Sequence, residues 1–166
     1  MIVATLCATD VVLDTNVLSH ADNAGSAHQA TALTVLAWVR DSSVAWVLDD
    51  QGKAAPDPKT SLLYSEYHNT LAPQGLALAL FTFLLQAERV RFAARPGQDV
   101  QKKLQTLVPR NKCDRAVLGA AHGTVDQVLV TNDYDDFPSA IRGAVKKQLG
   151  VEVIDSDEAA TQRGLT

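Results

Sequence analysis

Four acids in this chain stand where solvation alone explains them poorly: Asp14, Glu66, Asp114 and Asp133. Asp14 closes the β-branched run DVVLD (10–14), and Asp133 follows a second run in VLVTND (128–133). Continuous apolar runs of this length read as strands buried on both faces. A carboxylate at the end of such a strand is costly to desolvate unless something pairs with it. Neither run has a base beside it in sequence, which points toward a divalent cation. Glu66 follows Leu63 and Leu62 by three and four residues and so borders the apolar face of its helix. Asp114 precedes Val117, Leu118 and Ala121 by three, four and seven residues and shares their side. Hard cations such as Mg²⁺ take oxygen ligands, commonly a few carboxylates plus water and substrate phosphate. Acids gathered by folding from separate segments are the usual apparatus of metal-assisted phosphoryl chemistry.

Each acid also has an ordinary reading. Asp14 can turn the chain through an Asx hydrogen bond. Asp114 can close a capping box opened by Asn111. Asp133 can cap the following helix, and Glu66 can pair with a distant Lys or Arg. The four together are harder to explain that way than any one alone.

The elements that must position these acids alternate between strand and helix. Strands are expected at 10–14, 44–48, 89–93, 126–131 and 151–154. Helices are expected at 26–40 with Ser26 as N-cap, then at 60–71, 74–87, 98–107, 112–122 and 136–148. The stretch 51–60 is rich in Gly and Pro and reads as a loop, with Pro58 placed to start a helix. The alternation predicts an α/β fold on a central parallel sheet. With 166 residues and no composition break, one domain is expected, carrying a loop or hairpin extension at 44–60. The segment 74–87 is apolar on more than one face, so it is either deeply buried or part of a homodimer interface.

Composition excludes several classes. Two cysteines, Cys7 and Cys113, make no disulfide framework and suggest a reducing compartment. The longest apolar stretch, Gly75 to Leu85, is too short to span a bilayer, and no basic region precedes the N-terminal apolar run. A cytoplasmic protein without membrane association is therefore expected. There is no G-x-x-x-x-G-K-[ST] or G-x-G-x-x-G motif, and the four histidines lack zinc spacing. A haloacid-dehalogenase-like phosphatase would need a second Asp at position 16, which is Asn16. Asp49 and Asp50 end the wrong strand for a receiver domain.

The motifs LDTNVL (13–18), SEYHN (65–69), KCDRAVLGAA (112–121) and VTNDYDDF (130–137) resemble, in this order, those of the PIN domain family. The resemblance implies a three-layer α/β/α sandwich and Mg²⁺- or Mn²⁺-dependent hydrolysis of RNA. It implies Asp14, Glu66, Asp114 and Asp133 as the catalytic acids, with Asp14, Asp114 and Asp133 holding the metal and Asp135 or Asp136 as an outer acid. Thr131 and Asn132 would position Asp133, and Asn16 would shape the loop after the first strand. Lys112 and Arg115 would contact substrate. Small members of this kind are often toxins of toxin–antitoxin pairs, so an antitoxin protein is an implied partner. The alternatives are a metal-dependent nuclease acting on single-stranded DNA in a defence system, and a catalytically idle module that binds RNA or protein.

The densest positive run comprises Arg89, Arg91, Arg95, Lys102, Lys103, Arg110, Lys112 and Arg115, either a solvated face or a phosphate track. Arg89 and Arg91 alternate on a strand and would share one face. His68 sits two residues from Glu66 and points elsewhere, in a solvated or packing role. Trp38 reads as core, whereas Trp46 could be core or a stacking platform. The formal charge of -4 argues at first against a nucleic-acid partner. Its magnitude equals the four singled-out acids, so two bound Mg²⁺ would cancel it and turn the cleft from repelling phosphate to attracting it.

Overall fold

The computed structural model describes residues 6–50 and 58–161. Among the described residues five strands are formed: β1 Asp10–Leu13, β2 Ala45–Asp49, β3 Val90–Ala93, β4 Val128–Val130 and β5 Glu152–Ile154. Among the described residues there are eight α-helices: α1 Thr15–Ala21, α2 Gln29–Asp41, α3 Leu62–Thr70, α4 Leu76–Gln86, α5 Gln98–Leu107, α6 Lys112–His122, α7 Ser139–Leu149 and α8 Ser156–Thr161. A short 3₁₀ turn, Pro58–Thr60, precedes α3.

All strand pairs are parallel, in the order β3-β2-β1-β4-β5. Helices α1, α2, α4 and α8 pack against one another on one face, while α5, α6 and α7 form the layer on the other. This is the expected three-layer α/β/α sandwich. Right-handed crossovers explain the split: the chain moves outward from β1 to β3 with its helices on one face, then returns and moves from β4 to β5 with helices on the other. Central β1 is covered on both sides, and Val11, Val12 and Leu13 are fully buried. Such a strand needs no polar alternation, which is why its sequence is a continuous apolar run.

The expected boundaries shift in a few places for local reasons. Ser26 does not cap α2. Its Oγ accepts from the His28 amide at 3.1 Å within the preceding turn, and the helix begins at Gln29. The expected 136–148 helix begins at Ser139, because Asp135 and Asp136 are held in a turn and Pro138 sits at the N-cap. The stretch 44–48 becomes β2, paired in parallel on both sides, so it is not half of a hairpin. Residues 51–57 of the expected loop lie outside the described residues. The apolar segment 74–87 buries Ala77, Phe81 and Leu84 but leaves Leu76 and Phe83 about 60% exposed, so it is neither fully buried nor uniformly solvated. Among the described residues no helix is long and apolar enough to cross a membrane.

Three acids outside the candidate site hold the fold together. Asp10 and Asp126 form a reciprocal clasp at the N-terminal end of β1. Asp126 Oδ2 accepts from the amides of Thr9 and Asp10, while Asp10 accepts from the amides of Val125 and Asp126, at 2.7–3.0 Å. Asp49, buried at the end of β2, accepts from Ser61 Oγ at 2.7 Å and from the amides of Leu62 and Leu63 at 3.0 and 2.9 Å. It therefore ties the first turn of α3 to the sheet, where a carboxylate also complements the helix dipole. Asp49→Ala strips an acceptor from three donors and is expected to destabilise the protein by about 2–4 kcal/mol in urea unfolding. A loss below about 1 kcal/mol would mean that water replaces the carboxylate there.

Candidate metal centre

The direction of chain travel reverses between β1 and β4, whose carboxyl ends lie side by side. This is the topological switch point of an open parallel sheet, where a crevice forms and ligands bind. The Asp14 amide donates to Val130 O at 3.0 Å, joining the two strand ends. Asp14 follows β1 and Thr131 follows β4, so the two apolar runs deliver their polar ends to one place.

Both carboxylate oxygens of buried Asp14 are engaged. Oδ1 accepts from the Thr15 amide at 2.8 Å and so caps α1. Oδ2 accepts from Thr131 Oγ1 at 2.7 Å and Asn16 Nδ2 at 3.0 Å. Thr131 Oγ1 also accepts from the Asp133 amide at 3.1 Å, and Asn16 Oδ1 accepts from the Asn132 amide at 2.9 Å. Asp14, Asn16, Thr131 and Asn132 thus form a polar frame that fixes where Asp133 begins. The Asx-type capping expected as the ordinary reading of Asp14 is present, within a larger frame.

Asp133, Asp136 and Asp114 converge. One carboxylate oxygen from each lies within 4.8 Å of the other two, with Asp114 buried and the others half-buried. This acidic cluster is able to bind a metal ion. Asp133 Oδ1 accepts from the amides of Asp135 and Asp136 at 2.8 and 3.0 Å, forming a turn that brings the Asp136 side chain back toward its own. Asp135 is exposed and contributes its amide, so of the two outer acids it is Asp136 that joins the cluster. Arg142, on α7, grips the same loop through Phe137 O at 2.6 Å, Asp133 O at 3.0 Å and Thr131 O at 3.2 Å. Its guanidinium also lies 4.0 Å from the centre of the Tyr134 ring. Asp114 arrives from the first turn of α6, whose N-cap Asn111 accepts from the amides of Cys113 and Asp114. One Asp114 oxygen, Oδ2, is buried with no hydrogen-bond partner among the described residues. Such an orphan acceptor requires an explanation, and a cation supplies one. The donors are all hard carboxylate oxygens, which suits Mg²⁺ or Mn²⁺ better than a soft metal.

Glu66 lies near enough to Asp14 for its charge to raise that carboxyl. Its helix, α3, is anchored by fully buried Tyr67, whose hydroxyl donates to Leu13 O and accepts from Trp46 Nε1 at 3.2 Å. Trp46 is therefore core, not a stacking platform. Glu66 Oε2 is buried without a hydrogen-bond partner among the described residues. The thiol of Cys113, beside Asp114, lies near enough to Glu66 to feel its charge, a proximity that sequence reasoning missed. The spacing KCD put the cysteine next to a candidate ligand, but nothing in the sequence placed Glu66 opposite it.

The electrostatics follow from crowding. Burial raises the Asp14 carboxyl to about 6, and the charges of Glu66 and Asp133 add to the shift while the Thr131 hydroxyl opposes it. Burial also raises Asp114, to about 8, reinforced by hydrogen bonding with Asp136 and by the charges of Asp14, Asp136 and Asp133. The Cys113 thiol rises to about 11 through burial and its acidic neighbours, so it stays protonated. Carboxyls kept from ionising by burial and by one another are poised to ionise onto a cation.

The expected basic residues divide. Arg89 does not face outward with Arg91. It donates to Val39 O and Val44 O at 2.7 Å and to Arg40 O at 3.1 Å, closing the end of α2. Arg115 donates through Nη1 to Val108 O and Pro109 O at 3.0 and 2.9 Å. Lys112 and Arg95 are exposed. His68 stacks on Tyr64 at the surface, in the packing role expected for it. Compared with known proteins, the chain matches no family model, no curated protein and no solved structure.

Proposed function

We propose that this chain is a metal-dependent nuclease that hydrolyses RNA phosphodiester bonds in the manner the PIN-like motifs imply. One observation carries the reading: three carboxylates from two segments meet at the switch point of a parallel sheet, and one buried oxygen among them lacks a partner. A bound Mg²⁺ or Mn²⁺ would supply an activated water and neutralise charge on the phosphate. Asp114, Asp133 and Asp136 would hold it. Asp14, through Thr131 and Asn16, sets the position of the loop that carries Asp133. Glu66, near Asp14, would orient water. Exposed Lys112 offers a charge to the substrate backbone. The motif resemblance adds RNA as substrate and an antitoxin as partner, and the exposed apolar side chains Leu76 and Phe83 suit a protein contact such as a homodimer.

The test is incubation with RNA and with single-stranded DNA, with and without Mn²⁺, read on a denaturing gel. Cleavage of RNA with Mn²⁺, abolished by a chelator, is expected. Cleavage of DNA alone would move the substrate class. No cleavage of either, together with no Mn²⁺-dependent rise in melting temperature, would leave an idle binding module as the better reading.

A further inference from the structure

Beside the acidic cluster lies a cavity of about 180 Å³ between the ends of β2 and β3 and the outer side of α6. Its apolar wall comes from Leu104, Ala116 and Gly119, and its cations are Arg95, Lys112 and Arg115. Gly119 lets the wall pack tightly. A Cβ there would come within 3.2 Å of Pro96 Cγ and 3.3 Å of Leu104 Cδ1. Gln105 adds an exposed carboxamide that can both donate and accept. Two acids, Asp49 and Asp50, also line the space, and the carboxylate of Asp49 is already taken by Ser61 and the start of α3.

Size, chemistry and position together select an occupant. A dry cavity of about 150 Å³ accepts a single six-membered ring. The space therefore suits one planar heterocycle and is too small for a dinucleotide. Aliphatic walls with one two-way hydrogen-bonding group match a nucleobase face and edge. Cations at the lining match the phosphate attached to that base. The same helix serves both features: Asp114 faces the cluster, while Lys112, Arg115 and Ala116, within two residues of it, line the cavity. A helix is only about 10–12 Å across, so the two lie about one nucleotide apart.

We infer that this cavity binds the base of one nucleotide adjacent to the cleaved linkage, with Lys112 and Arg95 meeting its phosphate. The inference rests on the nuclease reading, but it is testable without metal or cleavage. The full chain in chelator is titrated with nucleosides and nucleoside 5′-monophosphates and followed by amide NMR shifts. Saturable shifts at residues 93–96 and 112–120 are expected, with a dissociation constant of order 1 mM and nucleotides binding several-fold tighter than nucleosides. Ala116→Leu, which fills the cavity with a good helix former, is expected to weaken nucleotide binding by about tenfold while leaving Mn²⁺ affinity unchanged. If that variant does not fold, Arg95→Glu at an exposed position is expected to erase the advantage of nucleotide over nucleoside. Absence of saturable shifts at 10-fold that concentration (about 10 mM) overturns the inference. So do shifts that Ala116→Leu, or Arg95→Glu in its place, leaves unchanged. Cleavage of RNA by a protein whose cavity ignores nucleotides would overturn the base pocket and spare the nuclease. Nucleotide binding without any cleavage would do the reverse.

Discussion

Asp114→Asn is expected to raise the melting temperature of the metal-free protein at pH 8 while abolishing both its thermal response to Mn²⁺ and its cleavage of RNA. The opposite signs come from one feature. The Asp114 carboxyl is buried beside Asp133 and Asp136, and Asp14 adds to the field, so its ionised form is resisted from several sides. An amide of the same shape removes that repulsion and can donate to Asp136. A gain of about 1–2 kcal/mol, or about 2–8 °C for a chain of this size, is the expected scale.

The cost falls on the metal. An amide oxygen is neutral, and the cluster loses one of three charges that would attract a cation. Saturating Mn²⁺ at about 100 times its dissociation constant should stabilise the native protein by about 2.7 kcal/mol, and that increment should vanish in the variant. RNA cleavage should fall by at least about 100-fold. A variant that is less stable than the parent and still responds to Mn²⁺ would assign Asp114 a structural role in the first turn of α6. The geometry disfavours that role. Asn111 caps the turn, and the Asp114 carboxylate lies with Asp133 and Asp136 instead of closing a capping box.

The architecture was legible because its signals are local. Apolar runs at DVVLD and VLV, and helical stripes such as the one in α6, are written within a few residues of the elements they form. The site was legible where an acid lies at a strand end or on a helix face, as Asp14 and Asp114 do. It was less legible where a turn decides. Asp135 and Asp136 are adjacent and chemically equal, and only the Asx turn at Asp133 sends one to the cluster and the other to solvent. Asp49 illustrates the converse. Its sequence neighbours gave it no role, because its three donors lie twelve to fourteen residues away at the start of α3. Arg89 looked like half of an exposed basic pair until the end of α2 brought two carbonyls, and the residue before β2 a third, within its reach. Contacts that depend on which strands become neighbours are invisible to periodicity, and the crevice between β1 and β4 is of that kind.

The same crowded acids predict how metal-free stability varies with pH. An unfolded Asp titrates near 3.8, whereas Asp14 and Asp114 titrate at about 6 and about 8 in the native state. The native state therefore binds protons that the unfolded state has already released, and stability falls with rising pH across that interval. Their contribution is full below 3.8 and is lost as pH passes through the folded values near 6 and 8. Asp157 and His20 act in the other sense. Hydrogen bonds from Thr31 and His28 hold the Asp157 carboxyl down against burial, so its effect falls below 3.8, outside this interval, whereas burial lowers the His20 imidazole and favours the less acidic side within it. Against that opposing slope, the two site acids should still impose a decline of about 3–5 kcal/mol between pH 5 and pH 9, or about 6–20 °C in melting temperature. Saturating Mn²⁺ should flatten the profile, because the cation binds the ionised carboxylates and its stabilising increment grows as protons leave. A metal-free profile that rises from pH 5 to pH 8, or a Mn²⁺ increment that is constant across it, would show that the acids are not mutually repelled in the native protein. Asp114→Asn should remove the upper part of the decline and leave the part belonging to Asp14. The variant profile thus separates the cluster acid that burial and its neighbours hold protonated from the buried acid beside it.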